Sequence, residues 1–537
     1  MSSTQTQVQT QPHTHTHARR RSRVSIHVLP ETPEAEESEK PLLAGLSDRG
    51  SVSSGDHDRQ PSQDSISLGH IDVLAPRPER RGFPWRVVLV FAVVTTICCV
   101  GTGAVVSHRE GGRFERWAAR VGSAPKPRRR ACNPYHQFGV LNVSLSTPSE
   151  NVWQPIAAAE DCQPTNYLEM LAQQHPSLPS KNPHLEFLRG RTILVYGDSI
   201  DRDHVDDVCG FVGGRHELIH DKHPLSPPYP LGQESPPPGY KNPITGERTW
   251  LQNGQSRPWI CHIPQLDARI INVFHFGFQE LSPWLENSPH YYPPATVEDR
   301  FDLIAVPLVK AFAQFHDTKP NPDLVSVAPG FWTLLRETID KQQPYDQDID
   351  DGVAFEDAHA EWRKSVWRTP SEHSRQFYEK RITQILRRVA AAWPETRSSR
   401  QPSLLWRAPH FVKETDRTPY NRLVALDQIG RSVVQRLTRE GDAAQAGRAE
   451  WKRWRRSAAA TGTSFDAADR SWARKAKLGE RLRVDEWGAR MLGQSQYFRD
   501  DIHPSPLPGS YLYGNMLFEH LRLFEEDRAA GTRPAAI

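Results

Sequence analysis

A serine follows directly on an apolar run that is typical of a buried strand. The triplet Gly197-Asp198-Ser199 comes after residues 192–196, and the residues beyond it have a composition that allows a helix. In α/β proteins, ligands bind in the crevice at the carboxyl ends of the strands, and a helix that begins there offers free N–H groups to an oxyanion. The triplet therefore predicts a nucleophilic Ser199; the alternative is an ordinary Asp-Ser helix cap.

A nucleophilic serine needs a general base, and the base needs an orienting carboxylate. Near the C-terminus, Asp500 and His503 stand three residues apart, and Pro504 follows the histidine. This spacing brings the Asp500 carboxylate within reach of the imidazole N–H; Asp501 is the competing carboxylate, and a solvated loop histidine is the alternative. We predict that Ser199, His503 and Asp500 form a triad for acyl transfer, which requires no metal and no cofactor.

The two motifs together resemble a known enzyme superfamily. Gly-Asp-Ser after a strand, combined with a C-terminal Asp-x-x-His, is similar to the SGNH (GDSL-type) hydrolases. The triplet followed by Arg202 and then Cys209 resembles the PC-esterase and trichome-birefringence-like branch of that superfamily. The resemblance extends over roughly Cys132 to Phe524, and its specific motifs lie at the two ends of that region.

This resemblance implies a three-layer α/β domain with a mainly parallel sheet, in which Ser199, His503 and Asp500 carry over as nucleophile, base and orienting acid. It also implies a membrane-bound Golgi protein that adds or removes acyl groups, acetyl above all, on glycan or polysaccharide hydroxyls. The expected partners are therefore a glycan or polysaccharide and an acyl donor. The choice between hydrolysis and transfer stays open.

The middle of the chain departs from the pattern of the superfamily. Residues 324–332 resemble a block made of a strand and then Asn-x-Gly, but Ala328 stands at the position of the asparagine and Gly330 at that of the glycine. In the superfamily this asparagine helps to bind the oxyanion, and loss of one such donor slows catalysis by about 10²–10³-fold. Backbone N–H groups of Ser199 and of a loop glycine are the expected substitutes, and the candidate glycines are Gly210, Gly213, Gly214, Gly277 and Gly330.

Three charged residues are further candidates for contact with substrate: Asp198, Arg202 and Arg407. Arg202 lies one helical turn beyond Ser199 and is expected to orient Asp198 or to bind substrate. Arg407 follows a strand-like run and is expected to line the crevice. For each arginine, a structural ion pair is the alternative.

Two other function classes have support in the sequence. The residue Ala328 in place of the asparagine favours an inactive glycan-binding protein of the same fold. The strings Asp346-Gln-Asp348 and Asp348-Ile-Asp350 match the Asp-x-Asp motif of metal-dependent glycosyltransferases, but they lie in an acidic, proline-containing segment typical of a surface loop. The balance of 67 Lys and Arg residues against 64 Asp and Glu residues gives no reason to expect a nucleic-acid partner, which needs a concentrated basic surface.

The elements that must position these residues are short apolar runs alternating with amphipathic stretches. Strands are predicted at residues 192–196, 270–276, 303–306, 324–327 and 404–406, and helices at residues 354–366 and 374–392. This alternation indicates an α/β sheet covered on both faces. A basic, Trp-containing stretch at residues 442–482 is expected to be an insertion into the domain.

The chain before the folded domain has three predicted parts. Residues 1–82 are rich in Ser, Thr, Gln, Pro and charge, which predicts a disordered tail. The run from Val87 to Val106 has 20 residues and no charge. As a helix it would be about 30 Å long, so a transmembrane helix within residues 83–106 is expected to anchor the chain in a lipid bilayer. A basic stem follows at residues 107–131, the folded domain covers residues 132–526, and residues 527–537 form a flexible tail.

A sequon and four cysteines set the predicted orientation, because arginines flank the apolar run on both sides. Asn142 begins the glycosylation sequon Asn-Val-Ser, and the cysteines on the same side of the run are Cys132, Cys162, Cys209 and Cys261. They favour a cytosolic N-terminus and a lumenal domain, as in a type II protein of the Golgi. Spacing leaves three disulfide connectivities and four free thiols open; we favour Cys132–Cys162 and Cys209–Cys261.

Overall fold

One seven-stranded sheet organises the fold, and a two-stranded ribbon lies apart from it. The computed structural model describes residues 132–156, 162–175, 178–219, 223–225, 256–282, 285, 291, 293–335, 355–413, 418–459 and 467–530. The strands are β1 (Gly139–Leu141), β2 (Trp153–Pro155), β3 (Thr192–Gly197), β4 (Arg215–Leu218), β5 (Trp259–Ile263), β6 (Ala268–Phe274), β7 (Leu324–Val327), β8 (Ser403–Arg407) and β9 (Leu482–Asp485). β1 and β2 form the ribbon, and the sheet has the order β4-β5-β6-β3-β7-β8-β9.

Helices alternate with most of the sheet strands, as the sequence predicts. They are α1 (Tyr167–Ala172), α2 (Ser199–Phe211), α3 (Val297–Arg300), α4 (Val306–Phe315), α5 (Phe355–Trp367), α6 (Glu372–Ala392), α7 (Tyr420–Ala446), α8 (Arg448–Ala459), α9 (Ala467–Ala476), α10 (Leu478–Arg481), α11 (Trp487–Arg490) and α12 (Tyr511–Ala530). Short 3₁₀ turns occur at Pro134–His136, Pro148–Glu150, Pro183–Leu188 and Ser495–Tyr497, and π-helical segments at Phe301–Ala305 and Pro506–Ser510. The predicted α/β class with a mostly parallel sheet is confirmed.

The parallel part of the sheet determines where a crevice forms. β6, β3, β7, β8 and β9 are parallel neighbours, whereas β5 is antiparallel to β6 and β4 to β5. Every residue of β3, β6, β7 and β8 is buried, as expected for strands with helices on both faces. Along the chain the five parallel strands follow the doubly wound order 2-1-3-4-5, in which ligands bind where the order reverses. Here the reversal lies between β3 and β7.

On one face of the sheet, α1, α2 and α12 pack closely around a glycine. Leu168 N in α1 donates to Asn515 Oδ1 in α12 at 3.1 Å. A Cβ atom at Gly514 would lie 2.7 Å from Val208 Cγ2 of α2 and 3.0 Å from Leu168 Cδ1. A side chain at position 514 would therefore separate the three helices, which together hold the helix that begins at Ser199.

On the other face of the sheet, one segment that the sequence predicts as a strand is helical. Residues 303–306 are helical, within the continuous segment formed by α3, Phe301–Ala305 and α4. Their buried apolar neighbours recur every three or four residues, at Phe301, Ile304 and Leu308, so the pattern is helical. The Phe301 ring packs 5.5 Å from the ring of Tyr196 in β3 and 5.5 Å from that of Trp393 after α6. A four-residue apolar run is too short to separate strand from buried helix.

The expected insertion at residues 442–482 is mostly helical where the structure describes it. The end of α7, then α8, α9 and α10, connect β8 to β9. Trp451 of α8 packs against Ala443 and Ala444 of α7 and Ala473 of α9, so these helices have a small core of their own. At the C-terminus, α12 extends to Ala530, beyond the domain end expected at residue 526.

Two disulfides join the cysteines in the favoured connectivity. Cys132 bonds to Cys162, and Cys209 in α2 bonds to Cys261 in β5. Disulfide bonding is thereby confirmed. Asn142 lies on the surface just after β1 and donates from Nδ2 to the carbonyl of Glu150 at 2.9 Å.

Several predictions fall on residues that the structure does not describe. The disordered tail, the apolar run from Val87 to Val106 and the basic stem lie in residues 1–131, outside the described residues. The same holds for the Asp-x-Asp strings at residues 346–350. Among the helices of the described ranges, none combines the length and the hydropathy needed to cross a bilayer.

Candidate active site

Ser199 lies at the carboxyl end of the central strand because a helix begins there. Asp198 caps α2: its Oδ1 accepts a hydrogen bond from Ile200 N at 3.1 Å, and its own N–H donates to Asp201 Oδ2 at 3.2 Å. Gly197 is required by this capping box, since a Cβ atom there would collide with the Asp201 carboxylate. Ser199 is the first residue of α2, so its backbone N–H has no acceptor within the helix, and the residue is partly exposed.

His503 and Asp500 reach Ser199 from a loop after the last strand. His503 Nε2 is 2.8 Å from Ser199 Oγ, and His503 Nδ1 is 2.7 Å from Asp500 Oδ2. Asp500 Oδ1 also accepts hydrogen bonds from the backbone N–H groups of Ile502 at 2.7 Å and His503 at 2.6 Å. The competing carboxylate, Asp501, is exposed, and its carbonyl accepts from Lys413 N. The structure thus brings Ser199, His503 and Asp500 into one hydrogen-bonded series.

The loop that carries His503 is a tight reversal held from two sides. Arg499 N donates to His503 O at 3.1 Å, and Ser505 N donates to Tyr497 O at 2.9 Å, which closes the reversal. From the segment after β8, buried His410 donates from Nε2 to the carbonyl of Ile502 at 2.8 Å. His410 therefore fixes the backbone one residue before His503.

The charges around this series favour an ionised carboxylate and a basic imidazole. Burial alone would raise the pKa of Asp500, but its hydrogen bonds to His503 and to backbone N–H groups hold that pKa well below its usual range. Burial alone would lower the pKa of His503, but the hydrogen bond to Asp500 and the nearby Asp203 carboxylate raise it. His503 is thus a stronger base than a free histidine, and Asp500 stays negative to hold it.

Asp198 is a structural cap. Its side chain is fully buried, and Oδ2 accepts a hydrogen bond from Phe331 N after β7. Burial and the neighbouring Asp201 raise the pKa of Asp198 to about 6, against the opposing charge of Arg407. Asp198 therefore joins the Ser199 helix to the loop after β7, and both of its carboxylate oxygens accept hydrogen bonds from backbone N–H groups.

Arg407 does not line the crevice as expected, because it forms a buried ion pair. Its Nε lies 2.6 Å from Asp201 Oδ1 and its second terminal nitrogen 2.7 Å from Oδ2, and both side chains are almost fully buried. The guanidinium also lies 5.4 Å from the Trp487 ring. The alternative of a structural ion pair holds here, and the pair locks the first turn of α2 to β8.

Arg202 forms an ion pair with its neighbour Asp203, as in the structural alternative, and its contact with substrate stays a prediction. Its guanidinium lies 2.8 Å from Asp203 Oδ1 and 5.7 Å from the centre of the Trp259 ring. Asp203 forms a second ion pair with Arg499, which is 43% exposed. The resulting group of two arginines and one carboxylate lies beside the loop of His503, at the edge of the candidate site.

The positions and hydrogen bonds of the candidate glycines exclude most of them as donors to the oxyanion. Gly210, Gly213 and Gly214 lie at or beyond the far end of α2, and Gly210 is about 16 Å along the helix from Ser199. The N–H of Gly277 donates to His275 Nδ1 at 3.1 Å, and Ala328 is buried with its N–H bonded to Tyr196 O. Gly330 remains.

Gly330 lies in the loop after β7, next to the cap of the Ser199 helix. Its φ is +74°, and a Cβ atom there would lie 3.5 Å from Asp198 Oδ2. Such a conformation favours glycine. Gly330 thus lies close to Asp198, whereas the glycines at the far end of α2 do not.

Sequence reasoning missed Asp201, Asp203, Arg499 and His410. For Asp201 a signal existed, because an acidic residue three positions after a helix cap is the pattern of a capping box. His410 and Arg499 act through contacts made across the fold, for which the local sequence has no sign. Within the described residues, no group of three His, Cys, Asp or Glu side chains is arranged to hold a metal ion.

Comparison with protein-family models and with curated proteins finds no match for this chain.

Proposed function

We propose that this protein is a serine esterase or O-acyltransferase of the SGNH type. The observation that carries the proposal is the hydrogen-bonded series from Ser199 Oγ through His503 to Asp500, in which Ser199 is partly exposed. A buried Ser–His contact would serve packing alone. An accessible one at the carboxyl end of the central parallel strand has the geometry that acyl transfer needs.

In the first step, His503 Nε2 takes the proton of Ser199 while Oγ attacks the carbonyl carbon of the acyl ester. The tetrahedral intermediate collapses, the bond to the leaving alcohol breaks, and that alcohol takes the proton from His503. In the second step, His503 removes a proton from water or from a sugar hydroxyl, whose oxygen attacks the acyl carbon of the acyl-enzyme. The bond between that carbon and Ser199 Oγ then breaks, and Oγ takes the proton back from His503. Asp500 stabilises the imidazolium in both steps.

The backbone N–H of Ser199, at the positive end of α2, is the first donor for the oxyanion. Ala328 supplies no side-chain donor, so the second donor is a backbone group, for which Gly330 is the best placed of the predicted glycines. We expect slower acyl transfer than in an enzyme with a side-chain donor, by about 10²–10³-fold if no substitute acts.

The proposed substrates are acyl esters of glycan or polysaccharide hydroxyls, acetyl esters above all. This choice rests on the resemblance of the Gly-Asp-Ser and Asp-x-x-His motifs together with Arg202 and Cys209. We place the domain on the lumenal side of a Golgi membrane, as a type II protein. The two disulfides support an oxidising compartment.

Ester hydrolysis tests this proposal directly. The purified chain is incubated with 4-nitrophenyl acetate and with an acetylated polysaccharide, and the release of alcohol and acetate is measured. We expect turnover that Ser199→Ala and His503→Ala both abolish without a change in melting temperature. Equal turnover in Ser199→Ala would overturn the proposal. Absence of turnover in the wild type, with an acyl donor and acceptor both supplied, would favour an inactive glycan-binding protein instead.

A further inference from the structure

The helical connection between β8 and β9 presents a cluster of free cations. α8 contains five Lys or Arg residues and one carboxylate, and α9 adds three cations and one carboxylate. Arg453 pairs with Glu450 at 3.2 Å. Six exposed cations make no ion pair within the described residues, and we call them the basic face: Arg448, Lys452, Arg455, Arg456, Arg474 and Lys475.

The fold holds these cations on one side of α8. At about 100° per residue, the four cations of α8 fall within an arc of about 100°, on successive turns. Trp451, Trp454 and Ala458 form a different stripe that packs towards α7 and α9. The Trp451 and Trp454 rings lie 4.9 Å apart within this stripe. The inner side of α8 is thus anchored by its packing, and no residue in the described ranges pairs with the cations of its outer side.

The basic face lies at the edge of the sheet opposite the candidate active site. Gln401, just before β8, donates from Nε2 to the carbonyl of Lys475 at 3.1 Å, and Arg481 donates to the carbonyl of Pro402 at 2.7 Å. These contacts place the end of α9 at the amino end of β8. Ser199 stands at the carboxyl end of its parallel neighbours, so the basic face is a separate surface from the crevice.

We infer that the basic face docks a linear acidic polysaccharide. Cations three and four residues apart on a helix are separated by about 5–6 Å, and a flexible chain with charges on its sugar rings can follow such a row. The large apolar side chains of α8 and α9 are not exposed. These two helices, as far as the structure describes them, thus present neither the apolar anchors of a membrane-binding helix nor the stacking rings of a single-strand reader. The choice of a polysaccharide rests on the proposed function.

Such docking gives the enzyme a second hold on a long substrate. The polymer bound at the basic face stays near the domain while its acylated segments enter and leave the crevice. Attraction by several exposed charges is long-ranged and weakens steeply with salt. The expected complex is therefore strong at low ionic strength and reversible.

The test measures binding of the full chain to two immobilised polymers, heparin and polygalacturonate, with neutral dextran as the blank. The basic-face variant carries four substitutions: Lys452→Gln, Arg455→Gln, Arg456→Gln and Arg474→Gln. Glutamine keeps the helix propensity of lysine and arginine, so the fold is retained, and a thermal melt checks this. The matched control removes the same number of exposed cations from other helices and their ends: Lys310→Gln, Arg368→Gln, Arg375→Gln and Lys380→Gln.

We expect the basic-face variant to lose about tenfold or more in affinity, and the control variant to stay within about twofold of the wild type. Equal binding of the wild type and the basic-face variant would overturn the inference. So would tighter binding, through these same residues, to duplex DNA or to vesicles of phosphatidylserine than to either polysaccharide. Ser199→Ala must bind as the wild type does. A wild-type protein that docks the polymer but hydrolyses no ester would count against the proposed function alone. Ser199-dependent hydrolysis together with unchanged binding of the basic-face variant would count against the docking alone.

Discussion

Ser199 Oγ lies 2.8 Å from His503 Nε2 although 304 positions of the chain separate the two residues. The contact exists because Ser199 follows the central strand β3, while the loop after β9 folds back over the carboxyl ends of the sheet. His410, three residues after the end of β8, holds that loop through the carbonyl of Ile502. The distance between Ser199 and His503 therefore depends on β3, on the loop after β9 and on the segment that carries His410.

The hydrogen bond from His410 to Ile502 is expected to position His503. His410→Phe keeps a ring against Phe331, Trp487 and Phe498 but removes the donor to the partly buried carbonyl of Ile502. The cost of leaving a fully buried carbonyl unpaired, about 1–3 kcal/mol, is the upper bound for this loss. We predict that turnover of an acyl ester falls about tenfold while KM changes little, because the imidazole is misplaced. The exposed histidine at the end of α4 gives the control, His316→Phe, which should leave turnover unchanged. A loss confined to KM would argue against this role.

The pH profile should depend on Asp203. His503 acts as a base in its neutral form, so kcat/KM rises as pH passes through its pKa, which is raised above the ordinary value of a histidine. The Asp203 carboxylate raises that pKa, and Arg499 lowers it. Asp203→Asn removes the carboxylate and leaves the arginine charge unopposed, so the rising limb should move to lower pH. Asp206→Asn, on the same helix and half exposed, should move it less. A shift to higher pH in Asp203→Asn would contradict this electrostatic account.

The buried pair of Arg407 and Asp201 should matter for stability. Removing one partner of a buried ion pair leaves an uncompensated charge and destabilises a protein by about 3–5 kcal/mol. Arg407→Met should therefore lower the free energy of unfolding in urea by about that amount, since Asp201 would then lie beside the second buried carboxylate, Asp198. The double variant Asp201→Asn with Arg407→Met should recover part of the loss. If Arg407→Met costs less than about 1 kcal/mol, the pair is not a structural lock.

Substitution of alanine for two helical glycines should change the stability of the protein in opposite directions. At Gly514 the new Cβ atom meets Val208 and Leu168, and overpacking of this kind destabilises by about 1–3 kcal/mol. At Gly210, which is exposed and has no atom within 4 Å of the new Cβ, alanine should stabilise α2 by roughly 0.5–1 kcal/mol. Urea unfolding of Gly514→Ala and Gly210→Ala measures both. Equal effects of the two changes would show that the three helices do not meet as described.

The central strands and the pairing of Ser199 with His503 could be predicted because each of these features depends on a short stretch of the sequence. β7 coincides with the predicted residues 324–327, and β3 and β8 differ from their predictions by one or two residues. The interior of each of these strands is mostly apolar and every residue in them is buried, which is the pattern of a parallel strand covered on both faces. The capping residue and the Asp-x-x-His spacing are equally local.

The rest depends on contacts that no local pattern contains. β4 has no buried residue, so the edge strand lacks an apolar signal. The spacing around Arg407 could not distinguish a crevice from a buried pair, because its partner Asp201 lies 206 positions away. Residues 303–306 were predicted as a strand from a run too short to show its period.

The most direct test of the triad is covalent labelling of the serine. A fluorophosphonate reacts with a serine only when a neighbouring base activates it, and the labelled residue is identified by peptide mass spectrometry. Ser510 provides a matched control, since its buried Oγ lies 2.9 Å from His204 Nδ1 without access to solvent. We predict that the wild type and Ser510→Ala are labelled at Ser199, that Ser199→Ala is not labelled, and that His503→Ala is labelled far more slowly. A folded wild-type protein that resists the probe, or a Ser199→Ala variant that takes up as much label, would contradict the proposed function.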